Sequence, residues 1–104
     1  MNKQLHGQHF DVRAAAISGS AVATEAALTG RAHYVTDIAA SSPVGTCIVE
    51  VLSGSTVYWS NIIGSGGFIG RTLSEPIRIT SGSAVTLRAG TADIIYINLG
   101  GFTI

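Results

Sequence analysis

The residue types best suited to metal chemistry are the histidines, two of which lie close together in the segment His6-Gly7-Gln8-His9. A zinc site needs at least a third ligand and a rigid platform that fixes the rings. This pair lies in an N-terminal segment that we expect to be mobile, so a solvated arm is favoured over a metal site. His33 lies beside Tyr34 in a strand pattern and is expected to be an ordinary surface or interface histidine.

Residue types that could act as nucleophiles or phosphate ligands lack the spacing that their chemistry needs. No serine stands in a Gly-x-Ser-x-Gly elbow between a strand and a helix. The tract Gly64-Ser65-Gly66-Gly67 lacks the Lys-Ser/Thr ending of a phosphate-binding loop and the helix that would follow it. Cys47 falls on the inner face of a predicted strand, where a thiol behaves as a small hydrophobe.

The carboxylates and the tryptophan complete the candidates for chemistry. A pair of carboxylates could still form in space, but a glycosidase normally needs a larger cleft than this chain can build. Trp59 could stack on a sugar, although its predicted inward direction favours a core role. We expect no enzyme, no catalytic residue, no metal and no cofactor. The six carboxylates are dispersed along the chain, with no two close in sequence: Asp11, Glu25, Asp37, Glu50, Glu75 and Asp93.

The composition favours burial of part of the surface in an assembly. The 104 residues fit one domain, and 46% of them are hydrophobic while 12% are charged. Average soluble domains carry about twice that share of charge. We therefore expect a homotrimer, since few charges are present to cover the surface of so small a chain. A monomer with a neutral surface rich in Gly, Ser and Thr is the alternative.

Charge and hydropathy argue against two classes of partner. Nucleic-acid binders need a basic face, and six scattered Lys and Arg residues with a formal net charge of zero do not provide one. No apolar run approaches the roughly 20 residues of a membrane-spanning helix, and the polar start of the chain contains no secretory signal. The single cysteine, Cys47, cannot form an internal disulfide, which indicates synthesis in a reducing cytoplasm.

Short β-branched runs separated by Gly and Ser turns predict an all-β antiparallel sandwich of about seven or eight strands. Residues 1–18 show no clear alternation, so we expect an arm outside the core that is dispensable for folding but needed for assembly. The sandwich domain then covers residues 19–104. Irregular segments are expected at Ser41-Ser42-Pro43, over residues 61–74, at Ala89-Gly90-Thr91-Ala92 and at Gly100-Gly101.

Alternation within the runs predicts which side chains fill the core. In residues 32–39, Tyr34, Thr36 and Ile38 share one face, and His33, Val35 and Asp37 share the other. A hairpin at Ser53-Gly54-Ser55 sends Glu50 and Tyr58 outward. The final run, Ile94-Ile95-Tyr96-Ile97, is apolar on both faces and predicts a central strand or one that meets another subunit. The residues expected to point inward are Cys47, Val49, Val51, Val57, Trp59, Ile77, Ile79, Val85 and Leu87.

After Gly30 the chain runs through residues 31–38, residues 47–59, Glu75-Pro76-Ile77-Arg78, and residues 83–90 with the strand that follows. This order of segments resembles that of small virion proteins of tailed bacteriophages. The similarity covers roughly residues 19–104 and excludes the N-terminal arm. The resemblance implies a jelly-roll-like sandwich that assembles as a trimer on a capsid or in a tail, and it implies no catalytic residue.

The leading hypothesis from sequence is a non-enzymatic capsid decoration (cement) protein that stabilises a phage head. Its expected partners are further copies of itself and the major capsid protein or another virion protein, with no nucleic acid and no membrane. Its expected location is the virion, after synthesis in the host cytoplasm. The alternatives are a tail or fibre component, or a jelly-roll carbohydrate-binding module that uses the Gly64–Gly70 region. An exposed aromatic pair beside a concave face would favour the carbohydrate-binding module.

Overall fold

A computed structural model describes residues 8–16, 19–92 and 94–104, without the side chains of residues 19, 91 and 92. These ranges contain eight strands and no helix, and they contain no segment that could span a membrane as a helix. The expected all-β class and strand number are confirmed. The strands are β1 (Gln8–Ala16), β2 (Gly19–Glu25), β3 (His33–Val44), β4 (Cys47–Ser53), β5 (Thr56–Ile63), β6 (Gly67–Arg78), β7 (Val85–Ala92) and β8 (Ile94–Thr103).

The strands form two four-stranded antiparallel sheets that pack as a sandwich. Sheet A has the order β1-β8-β3-β6, and sheet B has the order β2-β7-β4-β5. Among the eight described strands, only β4 and β5 follow one another within a sheet. Every other connection crosses from one sheet to the other, which gives the double Greek-key order of jelly rolls.

The core lies between the sheets and is built from the alternate side chains of each strand. Sheet A contributes Val35, Ile38, Ile95, Ile97 and Leu99. Most of the predicted inward positions are confirmed, because Cys47, Val49, Val51, Ile79, Val85 and Leu87 are all buried. Trp59 and Ile77 are partly buried and pack against this core. The expectation that the last strand is central is also confirmed, since β8 lies between β1 and β3.

Residues 8–16 are a strand of the sandwich, so the expectation that residues 1–18 form an arm outside the core is wrong for this part. β1 pairs with β8 along its whole length, from Gln8 opposite Thr103 to Ala16 opposite Ile95. Phe10, Val12, Ala14 and Ala16 point inward and pack against the core. Their alternation with Asp11 and Arg13 is present in the sequence. Residues 1–7, 17 and 18 lie outside the described residues.

Two β-bulges change which face the side chains occupy. In β3 the pairing shifts between Val35 and Asp37, so Thr36 is an extra residue and the alternation restarts after it. His33, Val35 and Ile38 are therefore all buried, whereas Asp37 is exposed. The predicted face assignment was wrong beyond the bulge.

The second bulge lies in β5 and corrects the position of Val57. Val51 pairs with Trp59, but Leu52 pairs with Val57, so Tyr58 is the extra residue. Val57 consequently leaves the inner face and is 46% exposed. The hairpin turn itself is where it was expected, because β4 ends at Ser53 and β5 begins at Thr56.

The strands are longer than the Gly, Ser and Pro pattern predicts. Residues 61–74 belong mostly to β5 and β6, and only residues 64–66 separate the two strands. The segment Ser41-Ser42-Pro43 lies within β3, where a register irregularity between Ser41 and Val44 accommodates a residue that cannot donate a ladder hydrogen bond. β7 likewise continues through Gly90 to Ala92.

β8 also continues through Gly100-Gly101, where an interruption was expected. Gly101 lies opposite the β3 bulge, between Val35 and Phe10 in the sheet. A Cβ atom there would overlap the carbonyl oxygen of Tyr34 and approach Cζ of Phe10 to 2.8 Å. The glycine is therefore required by the close approach of the backbones and does not break the strand.

Candidate functional site

His33 is a buried part of the core and not the surface or interface histidine that was expected. Its side chain is inaccessible to solvent, with Nε2 2.8 Å from the carbonyl oxygen of Ala26 and Nδ1 2.7 Å from Oγ1 of Thr103. A carbonyl oxygen only accepts, so Nε2 donates, and in the neutral ring Nδ1 accepts from the Thr103 hydroxyl. The Phe10 ring packs edge-on against the imidazole at 5.4 Å. Both nitrogens are thus committed to holding the fold together.

The other candidates for metal chemistry do not converge in the part of the chain that is described. His9 is exposed at the edge of sheet A and contacts Phe102, while His6 lies outside the described residues. No group of three or more His, Cys, Asp or Glu side chains suited to a metal ion occurs within residues 8–16, 19–92 and 94–104.

Cys47 is enclosed in the core, as its inner-face position predicts. Burial raises the pKa of its thiol, and a hydrogen bond with Ser42 partly opposes that shift. A thiol held in its neutral form is a poor nucleophile. The structure therefore places Cys47 as a packing residue.

Three of the carboxylates that the structure describes form side-chain contacts, each at a separate place. Glu50 accepts two hydrogen bonds from the Arg88 guanidinium, at 2.6 and 3.2 Å, on the outer face of sheet B. Asp11 forms an exposed ion pair with Arg13. Asp37 accepts hydrogen bonds from the hydroxyls of Thr36 and Thr72. Asp93 lies outside the described residues.

The Gly64–Gly67 tract is a tight turn between β5 and β6. The amide of Gly67 donates to the carbonyl oxygen of Gly64, and the amide of Gly66 donates to that of Ser42. Gly66 has a φ of +83°, a conformation that favours glycine. The tract is therefore a connection fastened to β3, and no helix follows it.

The outer face of sheet B carries exposed aliphatic side chains, which together form what we call the aliphatic face. Ile48 and Ile62 are direct cross-strand partners and are 48% and 65% exposed. The Glu50–Arg88 ion pair lies in the next cross-strand row, beside Val22 of β2. The aliphatic face consists of Val22, Ile48, Val57 and Ile62, with Tyr58 at its edge.

The outer face of sheet A carries a long depression, which we call the trough. Two adjoining cavities of about 750 and 510 Å³ form it, and they share Ala39, Gly70 and Asn98. The register places its outward side chains in cross-strand rows. One end row is Ala15-Tyr96-Ser41-Phe68, the next is Arg13-Asn98-Ala39-Gly70, and the third is Asp11-Gly100-Asp37-Thr72.

Aromatic side chains stand at one end of the trough and just beyond the other. Phe68 is 77% exposed and Tyr96 is 53% exposed, on either side of the small Ser41. Beyond the third row and outside the trough, the rings of Tyr34 and Phe102 stack in parallel with their centroids 5.0 Å apart, and the Arg78 guanidinium donates to the Tyr34 hydroxyl. The trough therefore has an aromatic end and a polar middle.

Sequence reasoning did not identify the trough residues as a group. Phe68, Tyr96, Asn98 and Asp37 lie on three strands that are distant in sequence, and their alignment depends on the bulge at Thr36. The expected carbohydrate region, Gly64–Gly70, touches the trough only through Phe68, Ile69 and Gly70. The signal in the sequence that could have located the trough is the alternation in β8, which places Tyr96 and Asn98 on the opposite face of the strand from the buried Ile95 and Ile97.

Comparison with known proteins supports the fold alone. No protein-family model matches the chain, and no curated protein matches it in sequence. Part of the insecticidal delta-endotoxin Cry8Ea1 from Bacillus thuringiensis has a similar structure, with a TM-score of 0.52 and 13% identity. The match covers 86% of this chain and 19% of the toxin chain, so the chain spans about a fifth of that protein. What this likeness shows is an antiparallel β-sandwich.

Proposed function

We propose that this chain is a non-enzymatic structural protein that assembles as a homotrimer and decorates a phage capsid. The observation that supports assembly is the aliphatic face. Ile48 and Ile62 side by side, with Val22 and Val57 on the same outer surface of sheet B, form an apolar surface that a partner would cover. The polar row Arg88-Glu50-Ser60 separates Ile48 and Ile62 from Val57, so the aliphatic side chains are grouped around an ion pair. Exposed apolar surface that is flanked by polar groups is typical of interaction sites.

The charged residues on the outer face of sheet B are compatible with a contact to another protein. The charged pair on this face, Glu50 and Arg88, is satisfied internally, so covering it leaves no isolated charge to desolvate. The surrounding side chains are aliphatic or hydroxyl-bearing, as with the mutually hydrogen-bonded Thr24 and Thr86. Burying a paired charge still costs desolvation free energy, but it costs less than burying an unpaired one, so this face suits a contact better than a face with isolated charges.

The phage assignment rests on the segment order of residues 31–90, which resembles that of small virion proteins. In this proposal the partners are further copies of the chain and the major capsid protein, and the site of action is the virion surface. Several weak contacts made at once by an oligomer give strong attachment to a particle. A tail or fibre component would use the same surface on a different virion protein.

The assembly proposal is tested by light scattering on the purified protein. We expect the unmodified chain to have the mass of a trimer at micromolar concentration, and the Ile48→Ser/Ile62→Ser double variant to dissociate. Val44→Ser is the matched control, because Val44 is a similarly exposed aliphatic residue on β3 of sheet A. Monomeric unmodified protein would contradict the proposal.

Capsid decoration is tested by mixing the protein with phage capsids stripped of their decoration proteins. We expect the unmodified protein and Val44→Ser to sediment with the capsids, and the double variant to stay in solution. Melting curves of all three proteins establish that the variants are folded. A stable trimer that leaves the capsids uncoated would contradict decoration while leaving assembly intact.

A further inference from the structure

We propose that the trough on sheet A binds an uncharged oligosaccharide that lies along the strands. This inference goes beyond the structural role, because it concerns the opposite sheet from the aliphatic face. It begins with Phe68 and Tyr96, two aromatic side chains that are largely open to solvent. An aromatic ring has a flat, electron-rich face, which pairs with the weakly positive C–H face of a sugar ring.

The floor of the trough leaves room for a ligand. Several residues beyond the Phe68–Tyr96 end are small, namely Ala39, Gly70 and Gly100. A Cβ atom at Gly70 would meet nothing within 4 Å, so the space above it is open. From Tyr96 to Gly101 the trough follows β8, a stretch of about 17 Å of strand. That length fits an extended chain of several sugar units better than a single sugar.

The polar groups of the trough can form hydrogen bonds with the hydroxyl groups at the edge of a sugar ring. The side-chain amide of Asn98 makes no hydrogen bond with any described residue, so it can both donate and accept. Next to it, Arg13 and Asp11 form an exposed ion pair whose side chains are 72% and 53% accessible. Asp37 is held in place by Thr36 and Thr72, and a carboxylate oriented in this way can accept further hydrogen bonds from hydroxyl groups.

The charge balance of the trough favours a neutral ligand. Its positive groups are Arg13 and Arg71, and its negative groups are Asp11 and Asp37. A phosphate-bearing ligand would need an excess of positive charge. A purely apolar partner would remove water from Asp11 and Asp37 in the third row without replacing the hydrogen bonds that the water makes. A neutral glycan supplies both an apolar face and hydroxyl groups.

The test is a binding titration with neutral hexasaccharides, namely cellohexaose, maltohexaose and chitohexaose, followed by calorimetry and by amide chemical shifts. We expect at least one of them to bind and to shift the amides of residues 39, 70 and 98. Tyr96→Ala and Phe68→Ala should each weaken that binding by about tenfold, the effect of losing one aromatic contact of roughly 1.4 kcal/mol. Gly70→Leu should abolish binding by filling the trough.

Leu28→Ala is the matched control, because Leu28 is an exposed apolar residue between β2 and β3 that lies outside both the trough and the aliphatic face. Its affinity for the hexasaccharide should equal that of the unmodified protein, and melting curves should show all variants folded. The proposal is overturned if none of the three hexasaccharides binds at millimolar concentration. It is also overturned if Tyr96→Ala dissociates the oligomer, since the trough would then be a subunit interface.

Discussion

The polar ring of His33 is tolerated in the core because both of its nitrogens have hydrogen-bond partners. One nitrogen reaches Ala26, in the segment between β2 and β3, and the other reaches Thr103 at the end of β8. The side chain thus joins the start of β3 to the segment just before it and to the end of β8, which is 70 residues away. Buried polar groups are tolerated when they are hydrogen-bonded and are costly when they are not.

Replacing this histidine should be expensive for stability. We expect His33→Ala to lower the free energy of unfolding by about 2–4 kcal/mol, because it opens a cavity and leaves the buried hydroxyl of Thr103 without its partner. Denaturant unfolding measures the difference. His9→Ala, a change at an exposed histidine, should shift stability by no more than about 0.5 kcal/mol. Equal effects of the two substitutions would contradict the structural role of His33.

The buried thiol of Cys47 should make the free energy of unfolding decrease at alkaline pH. Burial raises the pKa of the thiol in the folded state, whereas a thiol in the unfolded chain ionises near its ordinary pKa of about 8.5. Above that pH the unfolded state loses a proton that the folded state retains, so the free energy of unfolding decreases as pH rises from the unfolded pKa toward the folded one.

Urea melts between pH 7 and pH 9.5 test this expectation against Cys47→Ala, which removes the ionising group. The stability of the unmodified protein should fall more steeply with pH than that of the variant. The native thiol should also react with an aromatic disulfide reagent much more slowly than the thiol in urea. Parallel pH profiles for the two proteins would show that Cys47 ionises equally easily in both states.

At the scale of the elements, β1 completes sheet A and its inner side chains cover part of the core. We expect Phe10→Ala to cost about 2–3 kcal/mol, somewhat less than a fully buried phenylalanine, because the ring is only partly buried against His33 and the core. Chemical denaturation measures this loss. Asp11→Ala is the control on the same strand and should cost no more than about 0.5 kcal/mol, because its ion pair is exposed.

Removing β1 altogether should have a larger effect than either substitution. A chain that begins at residue 17 exposes the edge of β8 together with the core residues that β1 covers. We expect it to aggregate or to unfold without a cooperative transition. A truncated protein that melts at the original temperature would restore the interpretation of this segment as a dispensable arm.

The face that each side chain occupies was predictable from sequence where the alternation along a strand is uninterrupted. It was unpredictable where the pairing with a neighbouring strand introduces a bulge. Val85 and Leu87 follow simple alternation and are buried as expected. The positions of Val57 and Ile38 depend on bulges that are visible only once the partner strands are known. The expected interruption at Gly100-Gly101 was wrong because Gly101 permits a close backbone approach within β8, which a single sequence does not distinguish from a turn.

For the whole molecule, the two candidate surfaces lie on opposite sides of the sandwich. The aliphatic face belongs to sheet B and the trough to sheet A. In the proposed assembly, a partner that covers sheet B leaves the trough open to solvent. The low charge content predicts that part of the surface is buried in an assembly, but sequence alone could not say which sheet carries the exposed aliphatic side chains, because that depends on the order of the strands.

The crossing connections have a consequence for how the chain reaches this structure. β8 follows the other seven described strands in the chain, and it lies between β1 and β3 in sheet A. Sheet A therefore cannot form until residues 94–103 have left the ribosome, and the pairing of β1 with β8 joins segments that are more than 75 residues apart. Folds dominated by such non-local pairings have high contact order and fold in milliseconds to seconds. During synthesis the incomplete sandwich would expose strand edges, so chaperones that hold nascent chains should matter most before β8 has emerged.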